Sequence, residues 1–404
     1  MPAPPILIAG GGIGGLACAL ALAQTGRASV VLERQADFSP AGAGIQFGPN
    51  GVRALRELGV ADALEPFAGK PEAIEVFEGR RGRRLTRLPL GDWLAARHGA
   101  PYWVAHRGDL HAVLHAAATR NPLIAIRTGY AVASVEQREA DVSVMGAEGE
   151  RLTGALLVGA DGLWSAVRQS VMPDAEPKFA GATATRTVIS AAEAGPLALR
   201  SVGLWLSPAA HVVHYPVRDG AEIAVVAIVS ETWQGRAWDA PADPEHLFAS
   251  LAHLPAGLTD TLRRVPGERW HRWALHTLAP LSRYASGRVV LIGDAAHPML
   301  PYLAQGGGCA LEDALVLART LDAEDGDVGR TLARFEDQRM ARCVRVQQAS
   351  VRQGRIYRLP AQVAWARDAL FRAAPPAMLM SSLDWLYAWR PPELPAIAPA
   401  GDRR

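Results

Sequence analysis

The stretch Gly10-Gly11-Gly12-Ile13-Gly14-Gly15 lies near the start of a chain of 404 residues. It follows an apolar run, Ile6 to Ala9, that is typical of a buried parallel strand, and it precedes an apolar segment, Leu16 to Gln24, that is typical of a helix. Glycines at such a junction allow a tight turn, close approach of the backbone to a pyrophosphate and close packing of the helix. The helix would then direct its N-terminal amides and the positive end of its dipole at the phosphates.

A second apolar run ends in an acid where dinucleotide-binding folds need one. Ser29 to Leu32 is followed by Glu33 and Arg34. An acid about 20 residues beyond the glycines accepts hydrogen bonds from an adenosine ribose. The order strand, glycines, helix, strand and acid therefore predicts a site for FAD or NAD, whereas a glycine-rich loop that only packs is the structural alternative.

The composition favours a soluble enzyme. A content of 49% hydrophobic and 20% charged residues is ordinary for a globular protein, and a formal net charge of +2 gives no reason to expect nucleic acid or an anionic membrane as partner. The apolar run Ile6 to Ala23 is about as long as a membrane span, but its glycines and the absence of a preceding basic residue favour a soluble fold. Cys18, Cys309 and Cys343 show no metal or redox spacing, which predicts no metal site and a cytoplasmic protein with reduced thiols.

A second glycine-containing stretch lies far downstream. Gly293-Asp294-Ala295-Ala296-His297-Pro298 comes directly after the apolar run Arg288 to Ile292, and Gln305-Gly306-Gly307-Gly308 opens a long helical pattern. One glycine stretch alone is a weak indication, whereas the two together suggest a flavin held from two sides.

Two further motifs lie between the glycine stretches. A hydrophobic strand, Leu156 to Gly159, ends in Ala160-Asp161-Gly162, and the residues from Leu163 to Arg168 are predicted to open a helix. This spacing brings a carboxylate and a guanidinium to one place, although an N-capping aspartate with a surface arginine is the structural alternative. Arg107 is the other candidate, because it could reach a phosphate or a ribityl chain.

The order and spacing of these motifs resemble the single-component FAD-dependent aromatic hydroxylases, the family that includes para-hydroxybenzoate hydroxylase. Besides the motifs above, the resemblance rests on Gly42-Ala43-Gly44-Ile45-Gln46 before Pro49-Asn50, and it spans roughly residues 5–340. Within the family, Ala304-Gln305-Gly306 and Leu311-Glu312-Asp313-Ala314 are most similar to salicylate hydroxylase, 3-hydroxybenzoate 6-hydroxylase and 6-hydroxynicotinate 3-monooxygenase.

The resemblance implies an α/β fold with a Rossmann-like FAD-binding domain of the para-hydroxybenzoate hydroxylase type, an inserted β-sheet substrate domain and a helical C-terminus. The expected FAD-binding domain comprises residues 1–70, 101–175 and 281–340, the substrate domain comprises 71–100 and a β-rich part at 176–280, and C-terminal helices occupy 341–404. By the same resemblance, a homodimer is expected to be common among such enzymes.

Cofactor contacts are also implied by the resemblance. Glu33 with Arg34 would hold the adenosine ribose, Arg107 would contact phosphates or the ribityl chain, and the Asp161 motif would serve both FAD and the nicotinamide nucleotide. Amides at the helix start would stabilise negative charge on the reduced flavin ring. The expected FAD-binding residues are Gly10, Gly12, Ile13, Gly14, Gly15, Glu33, Arg34, Gly44, Ile45, Arg107, Asp161, Arg168, Gly293, Asp294, Gly307 and Gly308.

The chemistry implied is hydroxylation of an aromatic ring. NADH or NADPH would reduce the flavin by hydride transfer, dioxygen would add to give a flavin C4a-hydroperoxide, and an electron-rich ring would attack its distal oxygen. Water must be excluded, and a base near a phenolic hydroxyl is expected because deprotonation makes the ring more nucleophilic. A single Rossmann fingerprint indicates that the nicotinamide nucleotide binds without a domain of its own.

Candidates for the substrate side lie on His211-Val212-Val213-His214-Tyr215-Pro216. With a period of two, His211 and Tyr215 share one face and His214 lies on the other. Relatives acting on 3-hydroxybenzoate and 6-hydroxynicotinate carry a histidine and a tyrosine at this spacing, so His211 is predicted as base or hydroxyl partner and Tyr215 as the residue that orients the substrate. The alternative is a buried tyrosine and a histidine bound to backbone. Pocket walls are expected from Phe47, Pro301, Tyr302 and Gln305.

Two departures from the family bear on the substrate. The 6-hydroxynicotinate enzymes carry histidines at the positions of Phe47 and Tyr302, so a hydroxylated benzoate is favoured here. No arginine can be assigned to a substrate carboxylate, since Arg186 and Arg218 are equally well surface charges. The alternatives are a salicylate-type decarboxylating hydroxylase, a pyridine hydroxylase, a tailoring oxygenase for a larger phenol, a flavin reductase without oxygenation and a non-catalytic nucleotide-binding carrier.

Overall fold

The computed structural model describes residues 4–38, 44–195, 197, 199–208, 210–233 and 239–392. Among these residues, no helix combines the length and the apolar character needed to cross a membrane. The strands are β1 Ile6–Ala9, β2 Ser29–Leu32, β3 Gly44–Phe47, β4 Ala73–Glu78, β5 Arg84–Pro89, β6 Trp103–His106, β7 Ile124–Arg127, β8 Val132–Gln137, β9 Val142–Gly146, β10 Arg151–Gly154, β11 Leu156–Gly159, β12 Lys178–Ser190, β13 Ser201–Leu206, β14 Ala210–Val217, β15 Glu222–Ser230, β16 Asp239–Pro241, β17 His271–Thr277, β18 Ala285–Ser286 and β19 Val289–Leu291. The helices are α1 Ile13–Gln24, α2 Pro49–Glu57, α3 Ala61–Leu64, α4 Gly91–His98, α5 Arg107–Thr119, α6 Arg168–Val171, α7 Pro244–Ser250, α8 Ala256–Arg263, α9 Gly306–Ala323, α10 Val328–Tyr357, α11 Ala361–Ala373, α12 Pro376–Ser381 and α13 Asp384–Tyr387.

The first glycine stretch belongs to a six-stranded sheet with the order β18-β19-β11-β1-β2-β7. The strands from β19 to β7 are parallel, and every residue of the central strand β1 is buried. Such burial on both faces explains why the strand lacks an alternating pattern. Helix α1 is buried over most of its length as well, so the long apolar run at the N-terminus forms a strand and a helix of the core.

A second, eight-stranded sheet has the order β16-β17-β12-β15-β14-β13-β4-β5. Six of its strands, β12 to β17, come from residues 178–277, and the charged segment Arg80 to Arg87 lies at the β4–β5 hairpin. One face of this sheet packs against residues of α10, α12 and α13, and the opposite face is covered by α7 and α8. The C-terminal part of the chain is helical, as predicted.

The two sheets are linked by the short antiparallel pair of β3 and β6. At one end of β3, Gly44 lies against Tyr215 of the large sheet, because a Cβ there would be 2.2 Å from the tyrosine ring. At the other end, Phe47 lies against the first turn of α9. Strand β3 therefore runs between the large sheet and the second glycine stretch. Gly42 and Ala43, which precede it in the sequence, lie outside the described residues.

The prediction of a helix beginning at Leu163 is wrong. Helix α6 begins only at Arg168. The Asp161 carboxylate accepts hydrogen bonds from the amides of Ala166 and Val167 at 2.8 and 3.1 Å. Because the aspartate binds these amides through its side chain, a turn forms where a helix was expected.

Candidate active site

The first glycine stretch forms a turn that only glycine can make. Gly10 has a φ of +103°, and a Cβ at this position would lie 2.4 Å from the Ala160 carbonyl oxygen. A Cβ on Gly15 would lie 1.9 Å from the Gly10 oxygen, whereas a Cβ on Gly12 would meet nothing within 4 Å. The turn is therefore closed on the side of β11 and open above Gly12.

Glu33 is fixed at the end of β2 beside this turn. Its carboxylate accepts hydrogen bonds from the Gly11 amide at 2.8 Å and from the Gln35 amide at 2.9 Å. The neighbouring Arg34 is exposed and makes no hydrogen bond or ion pair with a described residue. The structure thus brings the predicted acid to the glycine turn and leaves the arginine at the surface.

An aromatic cluster near the same turn was not predicted. The Phe38 ring lies 4.8 and 4.7 Å from the rings of His111 and His115, and His111 Nε2 is 2.8 Å from the Gly11 oxygen. The two histidines are one helical turn apart on α5, so they share one side of the helix. That spacing was the only signal in the sequence, and it does not reveal what the helix faces.

The Asp161-Gly162 motif is tied to the second glycine stretch. Arg168 is buried, and its guanidinium donates hydrogen bonds to the carbonyl oxygens of Leu163, Ala175 and Ala295 at 2.7, 3.2 and 3.1 Å. Burial raises the pKa of Asp161, while the hydrogen bond from Ser165 lowers it. The two residues lie close together as predicted, but Arg168 binds main-chain oxygens, and this fixes Ala295.

The turn at Gly293 is held by a buried acid. The Gly293 amide donates to Asp313 Oδ2 at 2.9 Å, and His297 Nε2 lies 2.6 Å from the same oxygen. Arg339 Nε donates to the other carboxylate oxygen at 2.7 Å. Burial raises the pKa of Asp313, but His297 and Arg339 outweigh it and hold the pKa below its usual range. Burial lowers the pKa of His297, but Asp313 raises it overall.

A second buried acid supports the start of α9. Glu312 lies 2.8 Å from Arg339 Nη1, binds Arg342 through two nitrogens at 2.7 Å and accepts a hydrogen bond from Asn50 Nδ2 at 2.8 Å. His297, Asp313 and Cys343 come close enough to suggest a metal site, but the Arg339 guanidinium already supplies the positive charge there. We call Glu312, Asp313, His297, Arg339 and Arg342 the α9 charge network.

Helices α1 and α9 both begin without a capping side chain. Neither Gly12 nor Gln305 makes a side-chain capping hydrogen bond, and neither helix has an acid in its first turn. The first amides of a helix need partners, which capping side chains usually supply. The open glycine turn and the two uncapped helix starts therefore fit a ligand with a pyrophosphate and an electron-accepting ring, such as FAD.

Asp294 and Arg107 interact electrostatically near the second glycine stretch. Asp294 is exposed to solvent, yet desolvation by the surrounding protein raises the pKa of its carboxyl. His297 and, to a smaller extent, Arg107 lower this pKa, but the net shift is upward. Arg107 is exposed, is the first residue of α5, and makes no hydrogen bond or ion pair with a described residue. The pair therefore offers one anionic and one cationic group beside the second glycine stretch.

His211 lies on β14, on the face of the large sheet that points towards β3. It is buried, its ring lies 5.5 Å from the rings of Tyr302 and Tyr357, and its Nδ1 has no hydrogen-bond partner among the described residues. Burial, with a smaller effect from Arg358, lowers the pKa of His211 to about 3. The imidazole is therefore neutral near pH 7. His214 lies on the opposite face beneath Gly203, as the alternation predicts.

Tyr215 joins the same face to strand β3. Its hydroxyl donates to the Gly44 oxygen at 2.9 Å. Burial raises the pKa of Tyr215 to about 12, against the opposing effects of Arg186 and of a hydrogen bond with Gln46. The structure thus places Tyr215 between the predicted pocket and the predicted flavin-binding strand.

The remaining pocket residues surround this point. Phe47, Tyr302 and Gln305 are buried, and the Gln305 side chain accepts a hydrogen bond from Asn50 at 2.8 Å. Tyr357 and Arg358, at the end of α10, were not predicted, although the rings of Tyr357 and Tyr302 are 6.1 Å apart. They come from a part of the chain that carries no motif, so only the fold reveals them.

Comparisons with known proteins indicate the same cofactor. A family model described as "FAD binding domain" matches residues 4–350. The chain is 37% identical to 3-amino-4-hydroxybenzoate 2-monooxygenase PtnB3 of Streptomyces platensis, covering 99% of this chain and 98% of that protein. It is 33% identical to 3-hydroxybenzoate 6-hydroxylase of Klebsiella oxytoca, covering 95% of this chain and 96% of the relative.

A solved structure shares the whole fold. Klebsiella pneumoniae HpxO, complexed with FAD and uric acid, superposes with a TM-score of 0.85 at 26% identity and covers 94% of this chain and 95% of its own. The expected α/β fold and FAD cofactor are thereby confirmed. The chain belongs to the FAD binding domain family, among the single-component FAD-dependent aromatic hydroxylases.

Proposed function

We propose that this monooxygenase hydroxylates the ring of a small aromatic hydroxy acid of the hydroxybenzoate type, with dioxygen and NADH or NADPH. One observation carries the proposal: His211 and Tyr215 share a buried sheet face that is joined to β3 by the hydrogen bond between Tyr215 and Gly44. Through β3, whose Ile45 and Phe47 lie against Gly307, this face is connected to the uncapped start of α9, which is expected to hold the flavin ring. Relatives named for hydroxybenzoates support the same substrate class.

FAD would lie across the two glycine stretches. The α1 amides and Gly12 would receive the pyrophosphate, Glu33 the ribose, Arg107 and Asp294 the ribityl and phosphate groups, and the first turn of α9 the ring. Bound FAD supplies hydride acceptance from the nicotinamide nucleotide and activation of dioxygen. Asp313 would keep Gly293 and Asp294 in place through its hydrogen bond with the Gly293 amide.

His211 would act on the substrate hydroxyl. With a pKa of about 3, its imidazole stays neutral and is suited to accept a hydrogen bond from a phenol rather than to hold a proton. This supports the role of hydroxyl partner over that of a free base. Tyr215, whose own proton is donated to Gly44, would orient the ring through the lone pairs of its hydroxyl oxygen.

The pocket walls would exclude water. Phe47 and Tyr302 present large rings at positions where a pyridine substrate would meet histidines in the 6-hydroxynicotinate enzymes, so their identity favours a benzenoid ring. Water exclusion matters because solvent access promotes release of hydrogen peroxide instead of product. Pro301 and Gln305 complete the wall beside the start of α9.

The proposal is tested with the purified, FAD-loaded protein. A panel of hydroxybenzoates and hydroxypyridines is screened for stimulated NADH and NADPH consumption, with oxygen uptake and product mass measured in parallel. A hydroxylated benzoate is expected, and loss of the carboxyl group would instead indicate the salicylate-type reaction. Nicotinamide oxidation without a hydroxylated product from any ring would contradict the proposal and favour a reductase.

We further propose a cytoplasmic homodimer with the domain division given above. The three cysteines are free, in keeping with a reducing compartment.

Helix α11 buries charged side chains and exposes apolar ones. Its Arg367–Asp368 ion pair is buried, whereas the side chains of Val363, Trp365 and Leu370 are 46, 67 and 60% exposed. An apolar helix side of this kind is typical of a subunit contact. Sedimentation equilibrium should show a dimer for the wild-type protein and a monomer for Leu370→Glu. A wild-type protein that is itself monomeric would contradict the proposal.

A further inference from the structure

Arg186 lies on the same sheet face as the proposed catalytic residues. On β12 it pairs with Val226 of β15, and Val226 pairs with Val213 of β14. Directly paired residues share a face, so Arg186 shares the face of Val213, which is also that of His211 and Tyr215. It lies two strands away from β14, about 10 Å in backbone distance.

The Arg186 guanidinium is a shielded cation without an anion. It lies 5.2 Å from the centre of the Trp273 ring, and its Nε is sealed from solvent without a hydrogen bond. No described carboxylate forms an ion pair with it. Burial lowers the pKa of Arg186. Two further groups, Tyr215 and Arg107, act on this pKa at longer range, but Tyr215 is neutral at pH 7 and Arg107 is a cation, so neither supplies a negative charge.

Other arginines of the molecule show how unusual this is. Arg168 binds three carbonyl oxygens, and Arg339 and Arg342 bind the acids of the α9 charge network. Arg218, the other sequence candidate for a carboxylate, is exposed and pairs with Asp109 and Glu222. Arg358, the arginine that acts on His211, also has no acid partner among the described residues, but it donates hydrogen bonds to the Gly354 oxygen and to Ser230 Oγ. Because a shielded charge is costly unless it is paired, we take the Arg186 guanidinium, which has neither an acid nor a hydrogen-bond partner in the described part of the chain, as the vacant anion position.

We propose that Arg186 binds the carboxylate of the aromatic substrate, while His211 and Tyr215 hold its hydroxylated end. A guanidinium matches a carboxylate through two parallel hydrogen bonds, and Arg186 Nε, one of the donors that such a pair can use, has no partner among the described residues. A cofactor phosphate is a poorer candidate, because the uncapped start of α1 that suits the pyrophosphate belongs to the other sheet. This inference rests on the proposed function.

The experiment compares acids with their uncharged analogues. Wild type, Arg186→Gln, Arg186→Lys and the control Arg218→Gln are loaded with FAD and titrated with 3-hydroxybenzoate, 4-hydroxybenzoate and salicylate, and with the matching hydroxybenzamides. Binding is followed by perturbation of the flavin absorbance, and KM and kcat are measured for the acid that turns over best. Loss of a hydrogen-bonded charge pair predicts that Arg186→Gln weakens acid binding about 100-fold.

Amide binding should change less than about threefold in Arg186→Gln, Arg186→Lys should restore part of the acid affinity, and Arg218→Gln should behave as wild type. Without ligand, Arg186→Gln should not lower the melting temperature, because it removes an unpaired charge. Equal losses for acid and amide would overturn the inference, as would a loss of FAD content, a raised KM for NADH or a changed flavin potential. If wild type hydroxylates no acid and no amide, the proposed function itself fails.

Discussion

The α9 charge network and the sheet face that carries Arg186, His211 and Tyr215, which we propose faces the substrate, are both buried and polar, but they differ in how their charges are satisfied. In the network, Asp313 binds an amide, a histidine and an arginine, and Glu312 binds two arginines. On the sheet face, Arg186 Nε and His211 Nδ1 have no hydrogen-bond partner in the described part of the chain, and neither has the hydroxyl of the nearby Tyr302. In the network, His297 Nδ1 also has no hydrogen bond, but each charged group has a partner of opposite charge, including Arg339 Nη1, which lies 2.8 Å from Glu312. Paired groups fix the backbone, whereas unpaired groups leave positions for a ligand to fill.

The largest effect should follow from breaking the network. Asp313→Ala leaves Arg339 without one of its buried acids and frees the Gly293 amide, so the free energy of unfolding should fall by about 3–5 kcal/mol. Urea unfolding of the FAD-loaded protein measures this, with FAD content as a second readout. Arg218→Gln, which removes only surface ion pairs, should cost about 1 kcal/mol or less. Equal losses in both variants would show that the network is not structural.

The next largest effect should come from the sheet face and should be seen in the coupling of the reaction rather than in stability. His211→Ala is expected to lower hydroxylation by about 100-fold, the low end for an acid-base or hydroxyl partner. NADH consumption should persist and release more hydrogen peroxide. Product yield per NADH measures the coupling, and unchanged coupling would remove His211 from the chemistry.

The two histidines should respond to pH in opposite directions. The folded pKa of His297 is raised, so its contribution to stability is complete below its unfolded pKa of about 6.5 and is lost as the pH rises through the folded value. The folded pKa of His211 is about 3, so its contribution is complete above about pH 6.5 and is lost as the pH falls towards 3.

Each effect is limited to about 1.4 kcal/mol per pH unit for one proton. Unfolding free energies of His297→Asn and His211→Asn, measured against pH and compared with wild type, should therefore diverge on opposite sides of about pH 6.5. If the two variants gave parallel curves of unfolding free energy against pH, the surroundings of His297 and His211 would shift the two pKa values in the same direction, which would contradict the prediction. The pKa of Asp313 is lowered, so its own contribution to stability is lost only as the pH falls below its unfolded value of about 4, and the two variants are therefore compared above pH 4.

The smallest effect should come from Tyr215→Phe. This variant loses the hydrogen bond to Gly44 but keeps the ring, so hydroxylation should fall by about tenfold or less, corresponding to one neutral hydrogen bond. Product yield per NADH should fall with it. If Tyr215→Phe lowered the rate of hydroxylation as much as His211→Ala does, Tyr215 would have to do more than orient the substrate.

Features with local signals were predictable from the sequence. The glycine turn, the strand and helix around it and the two faces of β14 each follow from residues a few positions apart. The helix expected from Leu163 failed because Asp161 binds the amides of Ala166 and Val167 through its side chain, a choice that apolar periodicity does not reveal. Here the side-chain chemistry overrides the pattern.

The electrostatics of the site were not predictable, because they join distant parts of the chain. Arg186 and Arg218 are indistinguishable as letters, yet one faces Trp273 and the other pairs with Asp109. Sequence neighbours do not determine which acid reaches which arginine. Only the register of β12, β15 and β14 places Arg186 on the face of His211.

Helix α10 spans 30 residues, from Val328 to Tyr357, and therefore measures about 45 Å. Arg339 of the α9 charge network and Tyr357 beside His211 both lie on it, about 27 Å apart along one axis. Each residue adds about 100° of rotation. A one-residue insertion or deletion between them would turn one end away from its partner, so the length of this helical segment is as tightly constrained as the identity of the residues it carries.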